Sequence, residues 1–308
     1  MHCGARIRGL IHENHHRLDF KSRRLIGMKR VLKTLREFLE IRGLSFVRTE
    51  TMQRLVLGQY ELIRQNNFLD FLDFLSPEAM RIALRIFRQS HGENFQDIFA
   101  MLILGLDRNG FFVEFGATDG ISGSNSYMLE KKFGWKGILA EPARGWARAL
   151  QENRHVEISH KCVWRDSGEK LAFREVEDGG FSTLDAFRMA DRHAARREKG
   201  QIYDVETITL NDLLTNYNAP SQIDFLSIDT EGSEFEILSN FNFVDWQVSI
   251  LAVEHNFRPD REDIRALMRS HGYVRAPVKV SKFDDWYVAG SLESAMRTIF
   301  RPDLKDDN

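Results

Sequence analysis

Two acidic residues sit at the spacing that α/β proteins use to bind an adenine nucleoside. The run Phe111-Phe-Val-Glu-Phe-Gly-Ala-Thr-Asp-Gly120 is an apolar segment that contains Glu114 and leads into a turn bounded by glycines. A second apolar run, Gly137-Ile-Leu-Ala-Glu-Pro142, carries Glu141 near its end. A strand, a tight glycine turn, a helix and a second strand that ends in an acid form a nucleoside-binding arrangement.

The spacing of the glycines indicates which cofactor would bind there. The turn reads Gly116-Ala-Thr-Asp-Gly120 and lacks the middle glycine of G-x-G-x-x-G. In dinucleotide-binding proteins that glycine lets the backbone approach a pyrophosphate. S-adenosylmethionine has no pyrophosphate, so the spacing favours it. A nicotinamide-dependent oxidoreductase on a related sheet is the alternative enzyme.

A second group of candidate residues follows two later apolar runs. Asp229 ends one of these runs and is followed closely by Glu231, and Glu254 and His255 end the other. Ligands of open parallel sheets bind outside the carboxyl ends of the strands. We therefore expect these side chains to face one cleft, with Asp229, Glu231 and His255 as the catalytic candidates.

The elements that must position these residues follow from hydrophobic patterning. From residue 109 onwards, strand-like and helix-like segments alternate, which predicts a parallel sheet with right-handed crossovers. Strands are predicted over 111–116, 137–141, 155–164, 223–229 and 248–254, and helices over 125–133, 145–153, 231–239 and 261–270. Tyr273–Val280 and Trp286–Ala289 are predicted to form a closing hairpin. The predicted fold class is α/β, a Rossmann-like doubly wound sheet of the class I methyltransferase type with a C-terminal antiparallel hairpin.

The N-terminal third of the chain has a different pattern. Its apolar residues recur at helical spacing, and Ser76-Pro77 is a typical helix start. We predict a basic extension over 1–27, a helical N-terminal region over 28–106 and the Rossmann-like domain over 107–308. A polar, basic insert is expected at 188–200.

Composition and charge narrow the class of protein. Residues 1–48 contain twelve Lys and Arg against four Asp and Glu, so this segment could contact an anionic membrane surface, although a solvated helix face explains it as simply. The chain has 2 cysteines, too few for a disulfide framework. Its apolar runs are shorter than the ~20 residues of a spanning helix, and no apolar signal segment is evident. We expect a cytoplasmic protein.

Two blocks of the sequence resemble the FkbM-type S-adenosylmethionine-dependent methyltransferases. The first extends from Val113-Glu-Phe-Gly-Ala-Thr-Asp-Gly120 through Ser124-Asn125 to Glu141-Pro142. The second, Ile223-Asp-Phe-Leu-Ser-Ile-Asp-Thr-Glu-Gly-Ser-Glu234, is similar to that family's signature I-D-x-x-x-I-D-x-E-G-x-E. The resemblance covers about residues 92–290 and implies S-adenosylmethionine as the cofactor.

The resemblance implies roles for residues at the methionine end of that cofactor. An acid in the place of Glu114 holds the methionine ammonium, directly or through water. Gly116 and Gly120 allow close backbone approach. Asp119 and Asn125 lie in the loop nearest the methionine end.

Two further acids are assigned to the nucleoside end. Glu141 is expected to accept hydrogen bonds from both ribose hydroxyls, because two carboxylate oxygens match a vicinal diol. Asp166, in the loop after the third strand, is the candidate acceptor for the adenine amino group.

The resemblance also implies O-methylation of a hydroxyl on a sugar, in a glycan or glycolipid, or on a natural product. An alcohol acceptor must lose its proton during transfer, and His255 is the preferred base, with Asp229 as the alternative. A divalent cation such as Mg²⁺, bound by Asp229, Glu231 or Glu254, could instead lower the pKa of the acceptor. The sequence does not decide between these routes.

One competing hypothesis belongs to a different class. The chain could be a non-catalytic binding protein or a membrane-associated scaffolding protein that kept the fold and contacts a membrane through its basic N-terminus. No nucleic-acid partner is expected, because the sequence has no Asn-Pro-Pro-Tyr-type motif. The expected partner is a small-molecule or glycan acceptor.

Overall fold

A computed structural model describes residues 49–176, 179–190 and 193–302 of the protein. The chain divides into two compact units, residues 1–68 and 69–308. The predicted basic extension 1–27 and the helix predicted from Met28 lie outside the described residues. None of the helices in the described ranges is both long and apolar enough to span a bilayer.

The second unit is built around two sheets. The strands are β1 (Phe111–Phe115), β2 (Lys136–Ala140), β3 (Glu157–Ser159), β4 (Cys162–Val163), β5 (Lys170–Glu175), β6 (Thr183–Leu184), β7 (Gln201–Ile208), β8 (Gln222–Ile228), β9 (Gln247–Glu254), β10 (Tyr273–Arg275) and β11 (Asp284–Ala289). Seven of them form the main sheet in the order β10-β11-β9-β8-β1-β2-β3, and the other four form a small sheet in the order β4-β7-β5-β6.

The main sheet has the topology that the sequence predicts. Strands β3, β2, β1, β8 and β9 run parallel to their neighbours. Strand β11 pairs antiparallel with both β9 and β10, which makes the closing hairpin. The predicted class I methyltransferase fold is therefore confirmed. The strand order reverses between β1 and β8, and such a switch point is where ligands bind in doubly wound sheets.

Helices connect and cover the strands. They are α1 (Thr49–Phe74), α2 (Pro77–Ile86), α3 (Gln96–Leu104), α4 (Tyr127–Phe133), α5 (Ala147–Asn153), α6 (Ala194–Arg197), α7 (Leu210–Asn216), α8 (Glu234–Ser239), α9 (Arg261–Ser270), α10 (Val278–Ser281) and α11 (Glu293–Ile299). The Oγ of Ser76 accepts a hydrogen bond from the N–H of Ala79 at 3.5 Å, so α2 begins with the predicted cap.

Strands β8 and β9 form the centre of the core. Every residue of these strands after the first is buried, as expected for parallel strands covered on both faces. Ile228 and Val253, at their carboxyl ends, are each 1% exposed. The ends of these strands are thus anchored in a packed interior, and the polar side chains that follow them start from a rigid base.

The structure differs from the sequence-based prediction at the third strand. The segment 155–164 is predicted as one strand, but it forms β3 and β4 in different sheets. Strand β3 ends the main sheet by pairing with β2, whereas β4 pairs with β7. Only Ser159 of β3 is buried, whereas β4 is fully buried. The two pieces are separated by only two residues, so periodicity cannot reveal the change of sheet.

A second difference lies after β8. The helix predicted from Glu231 begins instead at Glu234. The intervening turn has left-handed backbone at Glu231, with φ 59°, and an unusual φ of 138° at Gly232. Both values are incompatible with the first turn of an α-helix.

Helix α3 packs against the main sheet. The ring centroids of Phe99 on α3 and Trp286 on β11 are 4.6 Å apart. Residues just before α3 therefore reach the edge of the sheet where β8 and β9 end.

Candidate functional site

The glycine-bounded turn after β1 packs directly on the end of β8. Gly116 has φ 71°, and a Cβ at this position would lie 2.2 Å from the carbonyl oxygen of Asp229. A side chain at 116 would push the two strand ends apart. Gly116, which is predicted to lie near the cofactor, therefore also allows the turn after β1 to pack against the end of β8.

Glu114 is buried beneath this turn and organises the loop that follows it. One of its carboxylate oxygens accepts the N–H of Asn125 at 2.7 Å. The other accepts the hydroxyls of Ser124 and Ser126 at 2.9 and 2.5 Å. Glu114 thus supports the loop, and its contact with a methionine ammonium, directly or through water, stays a prediction.

Arg154 completes this support and has no counterpart in the sequence-based predictions. Its side chain is fully buried, ion-paired with Glu130, and its Nη1 lies 3.8 Å from Glu114. Nη1 also donates to the carbonyl of Gly120 at 3.0 Å. A Cβ on Gly120 would lie 2.6 Å from Cγ of Arg154, so this glycine makes room for the arginine. A lone Arg after a helix carries no signal of burial, which is why the pattern did not reveal it.

Asp119 is also occupied within its own turn. Its Oδ1 accepts the N–H groups of Ile121 and Ser122 at 2.9 and 2.7 Å. Oδ2 accepts the hydroxyl of Ser122 at 3.0 Å. These bonds shape the loop between residues 119 and 122.

Asn125 is the residue of this loop that offers an unused hydrogen-bonding atom. Its Nδ2 donates to the hydroxyl of Ser227 at 2.9 Å. Its Oδ1 is shielded from solvent and has no hydrogen-bond partner. A buried acceptor without a donor is costly unless a ligand supplies one, and an ammonium group is a suitable donor.

Glu141 lies where the nucleoside end of a cofactor is predicted. Its two carboxylate oxygens accept the N–H groups of Thr118 and Ala143, each at 2.8 Å. These bonds hold the carboxylate plane between the glycine turn and the loop after β2. Burial raises the pKa of Glu141 to about 7, although both backbone bonds oppose this shift.

A pocket of about 310 Å³ opens at the carboxyl ends of β8 and β9. The residues that line it are Glu93, Gln96, Gly123, Asn125, Ser227, Ile228, Asp229, Ala252, Glu254, Phe283 and Asp284. Asn125, from the loop after β1, and Asp229, after β8, both line this pocket. Glu93, Gln96 and Asp284 were not predicted, because they lie before α3 and at the start of β11, far along the chain from either sequence block.

Asp229 and Glu254, which line this pocket, form a cluster of carboxylates with Glu231. Their oxygens lie within 4.8 Å of one another, so the three could hold a divalent cation. Oδ1 of Asp229 is shielded from solvent and has no hydrogen-bond donor. Burial, and then the repulsion of acidic neighbours, raise the pKa of both Asp229 and Glu254. A carboxyl whose pKa is raised is a stronger base than an ordinary carboxylate.

Asp284 extends the acidic lining of the pocket. Burial raises its pKa to about 7, partly offset by hydrogen bonds from Gln96 and Trp286. The bond from Nε2 of Gln96 to Oδ2 of Asp284 is 2.5 Å long. The N-terminal helical region therefore contributes a polar side chain to the pocket.

The preferred base, His255, does not have the geometry for that role. Its Nδ1 accepts the N–H of Phe257 at 2.9 Å, so its proton is on Nε2, which lies 3.1 Å from the carbonyl of Asp284. Both ring nitrogens are thus engaged with backbone, and His255 does not line the pocket. A histidine directly after a strand can point to either side, and the sequence alone does not show which.

We expect His255 to stay neutral throughout the physiological range. Burial lowers its pKa to about 4, with Asp285 opposing the shift. In ¹H–¹⁵N spectra that detect histidine ring nitrogens, the His255 signals should not move between pH 5.5 and 8. Titration of this ring with a midpoint near pH 6.5 would contradict the bonding described above.

Asp166 lies apart from the residues described so far. It is exposed and ion-paired with its neighbour Arg165, at 3.0 Å. Its backbone carbonyl accepts the hydroxyl of Thr207. The structure brings four predicted residues to one edge of the sheet: Glu141, Gly116, Asn125 and Asp229. In the described part of the chain, Asp166 makes no hydrogen bond or ion pair with any of them.

Comparison with known proteins identifies the family. The family model described as the methyltransferase FkbM domain matches residues 114–275, more than half of the chain. The chain belongs to the FkbM methyltransferase family. Membership makes it a methyltransferase that uses S-adenosylmethionine.

Solved structures similar to this FkbM family member share little sequence with it. Methyltransferase FkbM from Methylobacillus flagellatus KT is 12% identical over 83% of this chain and 70% of that chain, with a TM-score of 0.38. Precorrin-6y C5,15-methyltransferase from Geobacter metallireducens GS-15 is 11% identical over 62% and 86%, with a TM-score of 0.32. A SAM dependent methyltransferase from Aquifex aeolicus is 12% identical over 63% and 89%, with a TM-score of 0.30. No protein of curated function matches the chain.

The residues of the site fit S-adenosylmethionine. The unpartnered Oδ1 of Asn125 provides an acceptor for the ammonium of the methionine end. The carboxylate of Glu141 provides two acceptor oxygens for the ribose hydroxyls. When bound, the cofactor supplies a methyl group already activated by a positively charged sulfur.

Proposed function

We propose that this FkbM family protein is an O-methyltransferase that acts on a hydroxyl of a sugar, in a glycan or glycolipid, or of a natural product. The observation that carries the proposal is the pair Asp229 and Glu254, two carboxyls at the carboxyl ends of adjacent strands. Glu254 is buried, and Asp229 is half-buried with its Oδ1 shielded from solvent. Burial raises the pKa of each. A base of this kind is suited to an alcohol, whose proton leaves as the new C–O bond forms.

The protein's own groups would carry out three tasks. Asn125, Glu141 and the glycine turn bind and orient the cofactor. The packed ends of β8 and β9 hold the acceptor hydroxyl in line with the methyl group, because alignment supplies much of the rate. The Asp229–Glu254 pair accepts the hydroxyl proton, the task that the sequence alone assigned first to His255.

The pocket also contains neutral polar groups beside its acidic side chains. They belong to Gln96, Ser227 and Asn125. A sugar presents several hydroxyls that act as donors, and the acceptor oxygens of the carboxylates match them.

The test is calorimetric titration of the purified protein with S-adenosylmethionine and S-adenosylhomocysteine, followed by an acceptor screen. We expect both ligands to bind with micromolar Kd. Transfer is then measured as the radiolabel passed from methyl-labelled cofactor to monosaccharides, glycolipids and small polyols. If neither ligand binds to folded protein, the non-catalytic hypothesis takes precedence. If the label passes to amines and never to hydroxyls, O-methylation is wrong.

A further inference from the structure

The loop after β2 is attached to both the main sheet and the small four-stranded sheet. In this loop, the N–H of Ala143 donates to a carboxylate oxygen of Glu141 at 2.8 Å. Ala143 is itself fully buried, and it belongs to one apolar cluster with residues of the small sheet, including Cys162 on β4 and Phe173 on β5. The residue that holds one oxygen of Glu141 is therefore packed in the core of the small sheet.

The next two backbone N–H groups of this loop have acceptors on the small sheet. The N–H of Arg144 donates to the hydroxyl oxygen of Tyr203 at 3.0 Å, and the N–H of Gly145 donates to Oε1 of Glu175 at 3.0 Å. The side chain of Arg144 lies over the same tyrosine, with its guanidinium carbon 4.0 Å from the ring centre. The loop after Ala143 is thus held by side chains of the small sheet.

Tyr203 and Glu175 also bond to each other. They lie on the neighbouring antiparallel strands β7 and β5, and Tyr203 is paired with Phe173, two residues before Glu175, so both side chains belong to the same face of the small sheet. The hydroxyl of Tyr203 donates to Oε2 of Glu175. Burial, and then this bond, raise the pKa of Tyr203 above its ordinary value, so the hydroxyl keeps its proton throughout the physiological range. The two residues form one support for the loop.

We propose that Tyr203 and Glu175 are positioning residues for the binding of S-adenosylmethionine: they hold the loop after β2 so that the N–H of Ala143 orients the Glu141 carboxylate toward the ribose. The inference rests on the assignment of Glu141 to the ribose, and it does not depend on the nature of the acceptor. The other carboxylate oxygen of Glu141 accepts the N–H of Thr118 at 2.8 Å. A carboxylate held from two sides keeps the orientation that two hydroxyls require, and it loses that orientation when one side is released.

Two variants release the loop, and they differ in charge. Tyr203→Phe removes the hydroxyl that accepts the N–H of Arg144 and leaves the carboxylate of Glu175 in place. Glu175→Gln also removes a negative charge, and after burial this charge is among the causes that raise the pKa of Glu141. Glu175→Gln would therefore favour the ionised form of Glu141 while it loosens the loop. Tyr203→Phe separates the effect of geometry from the effect of charge.

The experiment is calorimetric titration of the full-length protein with S-adenosylhomocysteine, which has the same ribose as the cofactor and carries no methyl group to transfer. In Tyr203→Phe we expect the Kd to rise about fivefold or more, because the released loop lets the Glu141 carboxylate turn away from the hydroxyls. Tyr273→Phe is the matched control: this half-buried hydroxyl, on β10 at the other edge of the main sheet, donates to the carbonyl of Val248 at 2.9 Å. Its Kd should stay within about twofold of the wild-type value. An unchanged Kd in Tyr203→Phe, or an equal rise in Tyr273→Phe, overturns the proposal.

A double-mutant cycle tests whether Tyr203 acts through Glu141. In the Glu141→Ala background, Tyr203→Phe should change the Kd by less than about twofold, because the group that the loop orients is absent. An analogue of S-adenosylhomocysteine that lacks the 2′ and 3′ hydroxyls gives a second reading, and wild type and Tyr203→Phe should bind it with equal Kd. A rise of undiminished size in the Glu141→Ala background, or with the analogue, would mean that the loop acts on another part of the cofactor, and the positioning role would be wrong.

The outcomes also separate this proposal from the assignment on which it rests. If Glu141→Ala alone leaves the Kd unchanged, the ribose assignment fails and the positioning role fails with it. If Glu141→Ala weakens binding and Tyr203→Phe does not, only the positioning role is wrong. Because the titrations need no acceptor, failure of the proposed O-methylation does not affect their outcome.

A second variant keeps the test open if Tyr203→Phe does not fold. Glu175→Gln is then measured at pH 8.5, above the pKa of about 7 of Glu141, so that Glu141 is ionised with or without the charge of Glu175. The same rise in Kd is expected, since an amide offers one acceptor oxygen where the carboxylate accepts from two donors. A wild-type Kd in this variant would overturn the proposal.

Discussion

Asp229→Asn should abolish methyl transfer while the protein still binds S-adenosylmethionine. Asp229 ends β8 at the pocket, and its Oδ1 is buried without a hydrogen-bond donor. An asparagine has nearly the same shape but accepts no proton at its amide. Removal of a general base typically lowers the rate by about 10²–10⁴-fold, so we expect kcat to fall within this range.

The measurement is transfer of methyl label to an acceptor from the screen, together with calorimetry for cofactor binding. Asp224→Asn is the control, because Asp224 lies at the other end of β8. An asparagine oxygen can keep the bond from the N–H of Phe111 at 2.8 Å, and the variant loses the ion pair with the exposed Arg108. The control should retain most of its activity. Full activity in Asp229→Asn would remove Asp229 from the mechanism.

Glu141→Ala should weaken the binding of S-adenosylmethionine by about 100-fold or more. Hydrogen bonds to a charged group contribute about 1.5–3 kcal/mol each, and the loss of two of them corresponds to at least about 3 kcal/mol. The fold should persist, since Glu141 bonds only to two loop N–H groups at 2.8 Å. Unchanged affinity would reject the ribose assignment.

The binding of the cofactor should also depend on pH through the same residue. The pKa of Glu141 is raised to about 7 by burial, and the protonated form has lost one of its acceptor oxygens. Affinity should therefore fall as the pH drops below 7, by at most about tenfold per pH unit. The free energy of unfolding of the cofactor-free protein depends on pH in the opposite direction. Because its pKa is raised from 4.5, Glu141 stabilises this fold at low pH, and the stabilisation is lost as the pH rises through 7.

A pair of variants isolates this effect. Glu141→Gln keeps an acceptor oxygen but does not titrate, so its Kd should be independent of pH between 5.5 and 8. Glu152→Ala, on the exposed face of α5, should behave like the wild type. A wild-type Kd that does not change across this range would show that Glu141 does not bind the ribose in its ionised form.

The sequence by itself determined the main sheet and one edge of the site. The strands that lead to Glu114, Glu141, Asp229 and Glu254 are continuous apolar runs, because parallel strands are buried on both faces. Since such strands carry ligands at their carboxyl ends, Asp229 and Glu254 could be assigned to one cleft from the sequence. The glycines of the first turn and the acidic signature after β8 also indicated the family.

Only the tertiary structure decided what each polar group contacts. Neither Arg154 nor Arg197 carries a local signal of burial, and each is ion-paired with a carboxylate more than 20 residues away in sequence. His255 follows a strand as a catalytic residue could, yet its ring turns to backbone groups at 2.9 and 3.1 Å. Hydrophobic periodicity reports which face of an element is buried, whereas the partner of a buried charge is set by contacts between elements that no local pattern encodes.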